Sequence, residues 1–446
     1  MTTDLIKKYV DQINLSATRR NTQKAYHSGN HVALLQPEAK PAPDVRSPVP
    51  FARKSVSLIK GYMAKPGNIT YEGDYYENTL EPIYNLNDEQ LTTADELEDC
   101  LIYGVCYELH WMDESGTKQF YPVPVGQGLP IFSDDLRPVL TGFIWARMLS
   151  DGSEIATYYD STIKQDYTKA KDSKAEWVSG EEMPHGYGMV PVNVGKIDRD
   201  YRNMFDHVLP LIDLYDRLIS EDVGNELSRF NNAIMLMAER IDATSTDDDG
   251  RTMIDRLKEM KLIDGLSPDG SDVRGKVAFV TRDIPTAFLE FSAKQVERLI
   301  YEMLMIVNPN DDSFATASGI AQAYKLLAME YLCAGIESYF SRFLQNRIKI
   351  ISGLTAELGD STDGMDEVDI IFRRNLPHNI AETADVMAKL NGLVSDETLL
   401  KLLPVGMVQD IDEEVRRKAE SAADGFDAVE PAPMVEVVSD DDSDQV

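Results

Sequence analysis

Cysteine is scarce in this chain. Cys100, Cys106 and Cys333 are its three thiols, an odd number with no C-x-x-C pair. The count argues against a disulfide framework and a zinc ribbon, and for small side chains buried like apolar ones. Positive charge is short too: 44 Lys+Arg stand against 76 Asp+Glu, a net −32. Affinity driven by counterion release grows with the number of phosphates that Lys and Arg neutralise. Tight nucleic-acid binding of that kind is disfavoured, and any contact with DNA is expected to be weak, local or sliding. Long apolar runs are missing as well; none approaches the roughly 18 residues that cross a bilayer. The opening Met1-Thr2-Thr3-Asp4 has neither the basic region nor the apolar core of a signal peptide, so the expected address is the cytosol.

What is present is a globular composition. Hydrophobic residues make up 43% and charged ones 27% of 446 residues, enough for two or three packed modules. Leu5, Ile6, Tyr9, Val10, Ile13 and Leu15 form a stripe that predicts a helix over the first 27 residues, with Lys7, Lys8, Arg19 and Arg20 exposed. Pro37, Pro41, Pro43, Pro48 and Pro50 are too dense for a helix, and residues 51–64 read as the next one. From about 68 to 197 the texture is mainly β, with a helix at 87–101. Val105 to Met112 and Gln119 to Val125 flank Asp113-Glu114-Ser115-Gly116 as a hairpin, and strands follow at 129–133, 139–149, 154–159, 163–168 and 189–196.

A second texture begins at 206. Leu211, Tyr215, Leu218, Val223, Leu227, Phe230, Ile234 and Met237 mark one helical face to about 240, with Pro210 in the first turn. Residues 251–287 read as a small α+β insert containing the strand Lys276 to Thr281. The helix Phe288 to Val307 is expected to bury Phe291, Val296, Leu299, Ile300, Met303 and Val307. Ser318 N-caps a helix of about 36 residues to Leu354, a rod of about 54 Å. A strand at 368–372 precedes helices around 380–391 and 396–403 and a last one to Ala423. Beyond Lys418 only acids carry charge (Glu420, Asp424, Asp427, Glu430, Glu436, Asp440, Asp441, Asp442 and Asp444), and this tail reads as disordered.

Four stretches stand out in order. The first is Tyr26-His27-Ser28-Gly29-Asn30-His31. The second is Val190-Pro191-Val192 followed by Leu211-Ile212-Asp213-Leu214-Tyr215-Asp216-Arg217-Leu218-Ile219-Ser220-Glu221-Asp222. The third is Ser318-Gly319-Ile320-Ala321 with Tyr324-Lys325-Leu326 and Met329-Glu330. The fourth is Ile371-Phe372-Arg373-Arg374-Asn375-Leu376-Pro377, then Glu382 and Gly392-Leu393-Val394-Ser395. Together they resemble the portal protein family of tailed bacteriophages, of the siphophage type, over nearly the whole chain.

The resemblance implies an α+β portal fold: an N-terminal helix and α/β wing (1–205), a stem helix (206–243), a clip (244–287) and a second stem helix (288–308). A tunnel loop (309–318), a long wing helix and strand (319–375), a helical crown (376–423) and an acidic tail (424–446) complete it. It implies a cyclic ring of about twelve copies at one capsid vertex, through which double-stranded DNA is packaged, retained and ejected. Implied partners are the packaging terminase ATPase, the major capsid and scaffold proteins and the tail adaptors, with no membrane. Asn308, Asn310, Asp311, Asp312, Ser313, Phe314 and Thr316 are the tunnel-loop candidates. Arg256, Lys258 and Lys261 are candidates for docking a partner at the clip.

Lys294 and Arg298 lie four apart on one helical face and are candidates for basic rings facing the channel. The plainer reading makes them solvated partners of Glu297, Glu302 or a neighbouring subunit. A conduit should not grip DNA, and a net −32 suits a slippery wall.

Catalytic chemistry is missing. Gly270-Ser271-Asp272-Val273-Arg274-Gly275-Lys276-Val277 fits G-x-x-x-x-G-K, yet puts Val where Ser or Thr would hold Mg²⁺ and opens a strand instead of a helix. His27 and His31 have i, i+4 spacing without a third metal ligand, and His110, His185, His207 and His378 are scattered. Asp247-Asp248-Asp249-Gly250 lacks EF-hand spacing. The expectation is a structural protein with no cofactor, metal or enzymatic activity. The alternatives are another virion structural or adaptor-ring protein, or a nucleotide-binding enzyme using the Gly270–Lys276 loop.

Overall fold

The first helix, α1 (Thr3–Ser28), stops where Gly29 adopts the left-handed conformation (φ 81°) and donates its amide to the last carbonyls of the helix. In this computed structural model the described residues are 1–31, 34, 46–171, 175–220, 235–237, 277–279, 286–308, 319–359, 361–374, 386–401, 403 and 411–423. The chain divides into two units, Met1–Asn375 and Leu376–Val446.

In the first unit α1 is followed by α2 (Phe51–Met63), β1 (Ile69–Glu72), a π-helical turn, α3 (Glu81–Leu86) and α4 (Glu89–Tyr103). Of the α1 stripe, Ile6, Val10 and Ile13 pack on Ile144, Ala156, Tyr167 and Trp177, while Leu5 and Leu15 are exposed. Helix α4 ends at Gly104 (φ 80°), and a Cβ at that glycine would lie 2.3 Å from the Tyr201 carbonyl oxygen. Only glycine fits this turn into the next strand.

That strand, β2 (Val105–Met112), is central in an antiparallel sheet ordered β3-β2-β9, with β3 at Lys118–Pro122 and β9 at Val192–Lys196. The expected hairpin is present, and the Asp113 carboxylate accepts the amides of Ser115 (2.9 Å) and Thr117 (2.8 Å) across its turn. A second sheet is the meander β4 (Gly128–Phe132), β5 (Leu140–Met148), β6 (Glu154–Tyr159), β7 (Ile163–Lys169) and β8 (Val178–Pro184). Edge strand β8 is exposed along its length; V-S-G-E-E-M-P has no apolar alternation to announce it.

Helix α5 is Leu209–Arg217, and β10 (Met235–Met237) pairs antiparallel with β11 (Val277–Phe279). The helix expected to run to about 240 therefore gives way to a strand by Met235. Ile234 to Met237 is a continuous apolar run, which periodicity alone does not assign to helix or strand. The strand expected at Lys276 to Thr281 appears as β11. Then come α6 (Thr286–Met303), the 39-residue α7 (Gly319–Glu357) and β12 (Asp369–Phe372), which pairs with β1. At 1.5 Å per residue α7 is about 58 Å long. Its Cys333, Ile336, Phe340, Phe343, Leu344, Ile348 and Ile351 face the core.

In the second unit α8 (Asp396–Lys401) packs against α9 (Ile411–Ala423). No described helix is long and apolar enough to cross a membrane.

Candidate functional site

Helix α6 carries apolar side chains on two opposite faces. Its inner face buries Ile300, Tyr301 and, just beyond, Leu304. Phe51 meets Tyr215 edge-on at 5.1 Å and Tyr301 at 5.9 Å, and the Lys54 ammonium donates to the Tyr301 hydroxyl. The outer face leaves Phe288 65%, Phe291 62%, Leu299 42% and Met303 48% exposed. Positions 288, 291, 299 and 303 follow i, i+3, i+11 and i+15, so these four side chains lie along one stripe, with the polar Gln295 among them.

Expected burial thus holds for Ile300 and fails for Phe291, Leu299 and Met303, while Val296 and Val307 are half-buried. Periodicity located the apolar positions but not which face this chain covers by itself.

Lys294 and Arg298 are both exposed beside that stripe, and neither makes an ion pair with a described residue. Glu297, offered above as a partner for them, accepts a hydrogen bond from Asn308 Nδ2 at 3.3 Å. The other tunnel-loop candidates (Asn310, Asp311, Asp312, Ser313, Phe314 and Thr316) lie outside the described residues. So do the clip candidates Arg256, Lys258 and Lys261, the Gly270–Lys276 loop, Asp247 to Gly250, His378 and the acidic tail.

Helix α5 is anchored to the end of α1 and the chain after it. The His31 imidazole pairs with Asp216, both side chains fully buried, and its Nε2 lies 3.3 Å from the Tyr26 carbonyl oxygen. The other Asp216 oxygen accepts the Val49 amide at 2.8 Å, and the Tyr26 hydroxyl donates to Asp213. Tyr26 stacks on His31 at 4.7 Å. The two motif segments, far apart in sequence, therefore close on each other. His27 turns elsewhere, 4.0 Å from Glu98, and burial lowers its pKa. The i, i+4 histidines serve separate contacts, and no group of three or more His, Cys, Asp or Glu suited to a metal exists among the described residues. The arginines of the I-F-R-R-N segment are similarly structural. Arg374 bonds Glu337 and, at 3.4 Å, Glu330 on α7, while the Arg373 amide donates to the Asn68 carbonyl at 2.7 Å.

Sequence reasoning missed a buried polar cluster. Arg347 on α7 is completely buried and ties three elements together. Its Nε donates to Glu108 on β2 (2.6 Å), one terminal nitrogen to Glu89 (2.9 Å) and Thr93 (2.7 Å) on α4, and the other to Glu96 on α4 (2.5 Å). The guanidinium also lies over the rings of Phe120 (4.7 Å) and Phe343 (5.6 Å). Glu108 is further bonded by His110 (2.9 Å) and Asn193 (3.3 Å), and Tyr71 donates to Glu89 at 2.6 Å.

Three carboxyls share one guanidinium, and their environments separate them. Burial and the neighbouring Glu108 charge raise Glu96 well above the usual carboxyl range, outweighing Arg347. Burial works against ionised Glu108 as well, but Arg347 and His110 win and hold it down at about 2. A raised carboxyl stabilises the fold below its unfolded value, near 4.5, and that contribution is lost as pH rises through the folded value. Glu108 has the opposite sign: its contribution is present above 4.5 and lost only as pH falls through about 2. Glu96→Gln, which cannot ionise, is thus expected to gain on the parent protein as pH rises above 4.5. Urea unfolding at a series of pH values checks this; parallel stability curves for the two proteins would contradict it.

The family described as "Phage portal protein, SPP1 Gp6-like" matches residues 6–425. The chain belongs to the phage portal protein family. A similar protein is the "Portal protein" of Clostridium phage phiCD119, 25% identical over 203 residues, which is 46% of this chain and 42% of that relative. Portal proteins of this family are structural, non-enzymatic phage components. The motif residues that signalled the family do packing work in the first unit: Tyr26 and His31 against α5, and Arg374 against α7.

Proposed function

We propose that this portal-family chain assembles into a closed ring at one capsid vertex and forms the channel for packaging, retaining and ejecting double-stranded DNA. The observation that carries the proposal is the uncovered apolar stripe of α6 bordered by Lys294 and Arg298. A lone chain gains nothing by exposing two phenylalanines on one helix, whereas a ring covers such a stripe at every repeat. In this reading α5 and α6 belong to the stem, the β10–β11 segment to the clip, and Asn308 begins the tunnel loop with Asn310 to Thr316. Lys294 and Arg298 then form two stacked basic rings in an otherwise acidic wall, close enough to steer phosphates and too few to hold them. Arg256, Lys258 and Lys261 dock the terminase ATPase or the tail adaptors by charge complementarity.

Light scattering followed by negative-stain microscopy tests the ring. A closed ring with a central hole and a mass on the order of 600 kDa is expected from a cyclic assembly of this 50.0 kDa chain. Monomers that persist with capsid and scaffold proteins present would overturn the reading.

A further inference from the structure

Cys100 lies in the last turn of α4 and Cys106 is the second residue of β2; both are free thiols and both are completely buried. Their sulfurs are 2.9 Å apart. Heavy atoms in ordinary non-bonded contact keep about 3.5–4.0 Å, and a disulfide measures about 2.04 Å, so the pair sits on the bonded side of packing distance. The surroundings fix this approach from both ends. Gly104 makes the reversal between the two residues close against the Tyr201 carbonyl, where a Cβ would clash. Across the sheet Cys106 is paired with Gly195, where an added Cβ would lie 2.4 Å from the Cys106 sulfur and 2.8 Å from Phe343. The sulfur already fills the space that a side chain at 195 would take, so the glycine leaves room for it at this position.

We propose that Cys100 and Cys106 form a latent disulfide, an oxidative modification site that staples the end of α4 to the start of β2. The co-reactant is a small-molecule disulfide such as oxidised glutathione. One cysteine loses its proton and its thiolate attacks the oxidant, forming a mixed disulfide and releasing one glutathione thiolate. The second cysteine, deprotonated in turn, attacks the sulfur of the first and releases the other. The protein gives up two hydrogens and two electrons, and the oxidant becomes two thiols. Burial raises both thiols above their usual range, so reaction in the closed fold is slow and proceeds through local opening of the Gly104 turn. The stapled elements are two of the three that Arg347 joins, so the oxidised protein gains stability where α4, β2 and α7 meet.

The inference does not depend on the channel reading. Its test uses the full chain, exposed to oxidised glutathione over a urea series below the unfolding midpoint, then alkylated and digested without reductant by chymotrypsin, which cuts at Tyr103. A Cys100–Cys106 linked peptide pair is expected, with Cys333 alkylated and titratable thiols falling from three to one. The melting temperature should rise by a few degrees, fall back with reductant, and stay unmoved in Cys106→Ala. The proposal is overturned if all three thiols are alkylated at every urea concentration below the midpoint. It is equally overturned if Cys333 enters the bond, or if the linked peptides appear only from the unfolded chain.

Discussion

Arg347→Met is expected to destabilise the first unit by about 3–5 kcal/mol, the range for removing one partner of a buried charge pair. Methionine keeps much of the volume and the contacts with Phe120 and Phe343, so the loss reports charge, not a cavity. Glu108 would be left ionised in a dry site with only His110 and Asn193 to answer it, and Glu89 would keep only its hydrogen bonds from the Tyr71 and Thr93 hydroxyls. Lysine should not rescue, because one ammonium cannot reproduce a planar fork that reaches Glu108, Glu89 and Glu96 at once. Adding Glu89→Gln and Glu108→Gln to Arg347→Met should restore a large part of the loss, since neutral groups end the demand for a counter-charge. Urea unfolding followed by circular dichroism measures all of these. A loss for Arg347→Met below about 1 kcal/mol, the level of an exposed pair, would show that the cluster does not hold the three elements together.

The elements most legible in the sequence were those with a single demand on them. The β2–β3 hairpin declared itself through its Asp-Glu-Ser-Gly turn between apolar runs, and α7 through an uninterrupted stretch without proline. Arg347 was harder because its partners lie between 239 and 258 residues away. Two signals were nonetheless present. Glu89, Thr93 and Glu96 recur at i, i+4 and i+7, a polar stripe on the side of α4 that also carries Leu97 and Cys100. Arg347 itself occupies a core position in the series Phe340, Phe343, Leu344, Arg347, Ile348 and Ile351. A charge where the helical repeat calls for an aliphatic side chain implies a buried counter-charge elsewhere. The cysteines show a different limit: their number and spacing carry no sign of a contact, and only the Gly104 turn brings the two sulfurs together.

The double substitution Phe288→Asp, Phe291→Asp is expected to abolish ring assembly and leave the fold of the subunit intact. The two rings are exposed on a face of α6 opposite the one that packs on Phe51, so the fold should not miss them. The assembly should. Each copy carries −32, and in the proposed ring any charges of neighbouring copies brought within the screening length of about 8 Å at physiological salt oppose closure. Short-range apolar contact has to overcome that repulsion, and a fully covered phenylalanine contributes about 1.5–3 kcal/mol. Removing two per interface, and adding two charges of the prevailing sign, acts at every repeat of a cyclic assembly. Light scattering of the variant should give the monomer mass where the parent gives the ring, with the circular dichroism spectrum and melting curve of the monomer unchanged. Lys294→Gln with Arg298→Gln provides the contrast, because those residues flank the stripe without filling it: rings should form, and DNA translocation should be the property that changes. Rings of normal mass from the phenylalanine variant would mean that the α6 stripe faces something other than a neighbouring copy, and the stem assignment would fall with it.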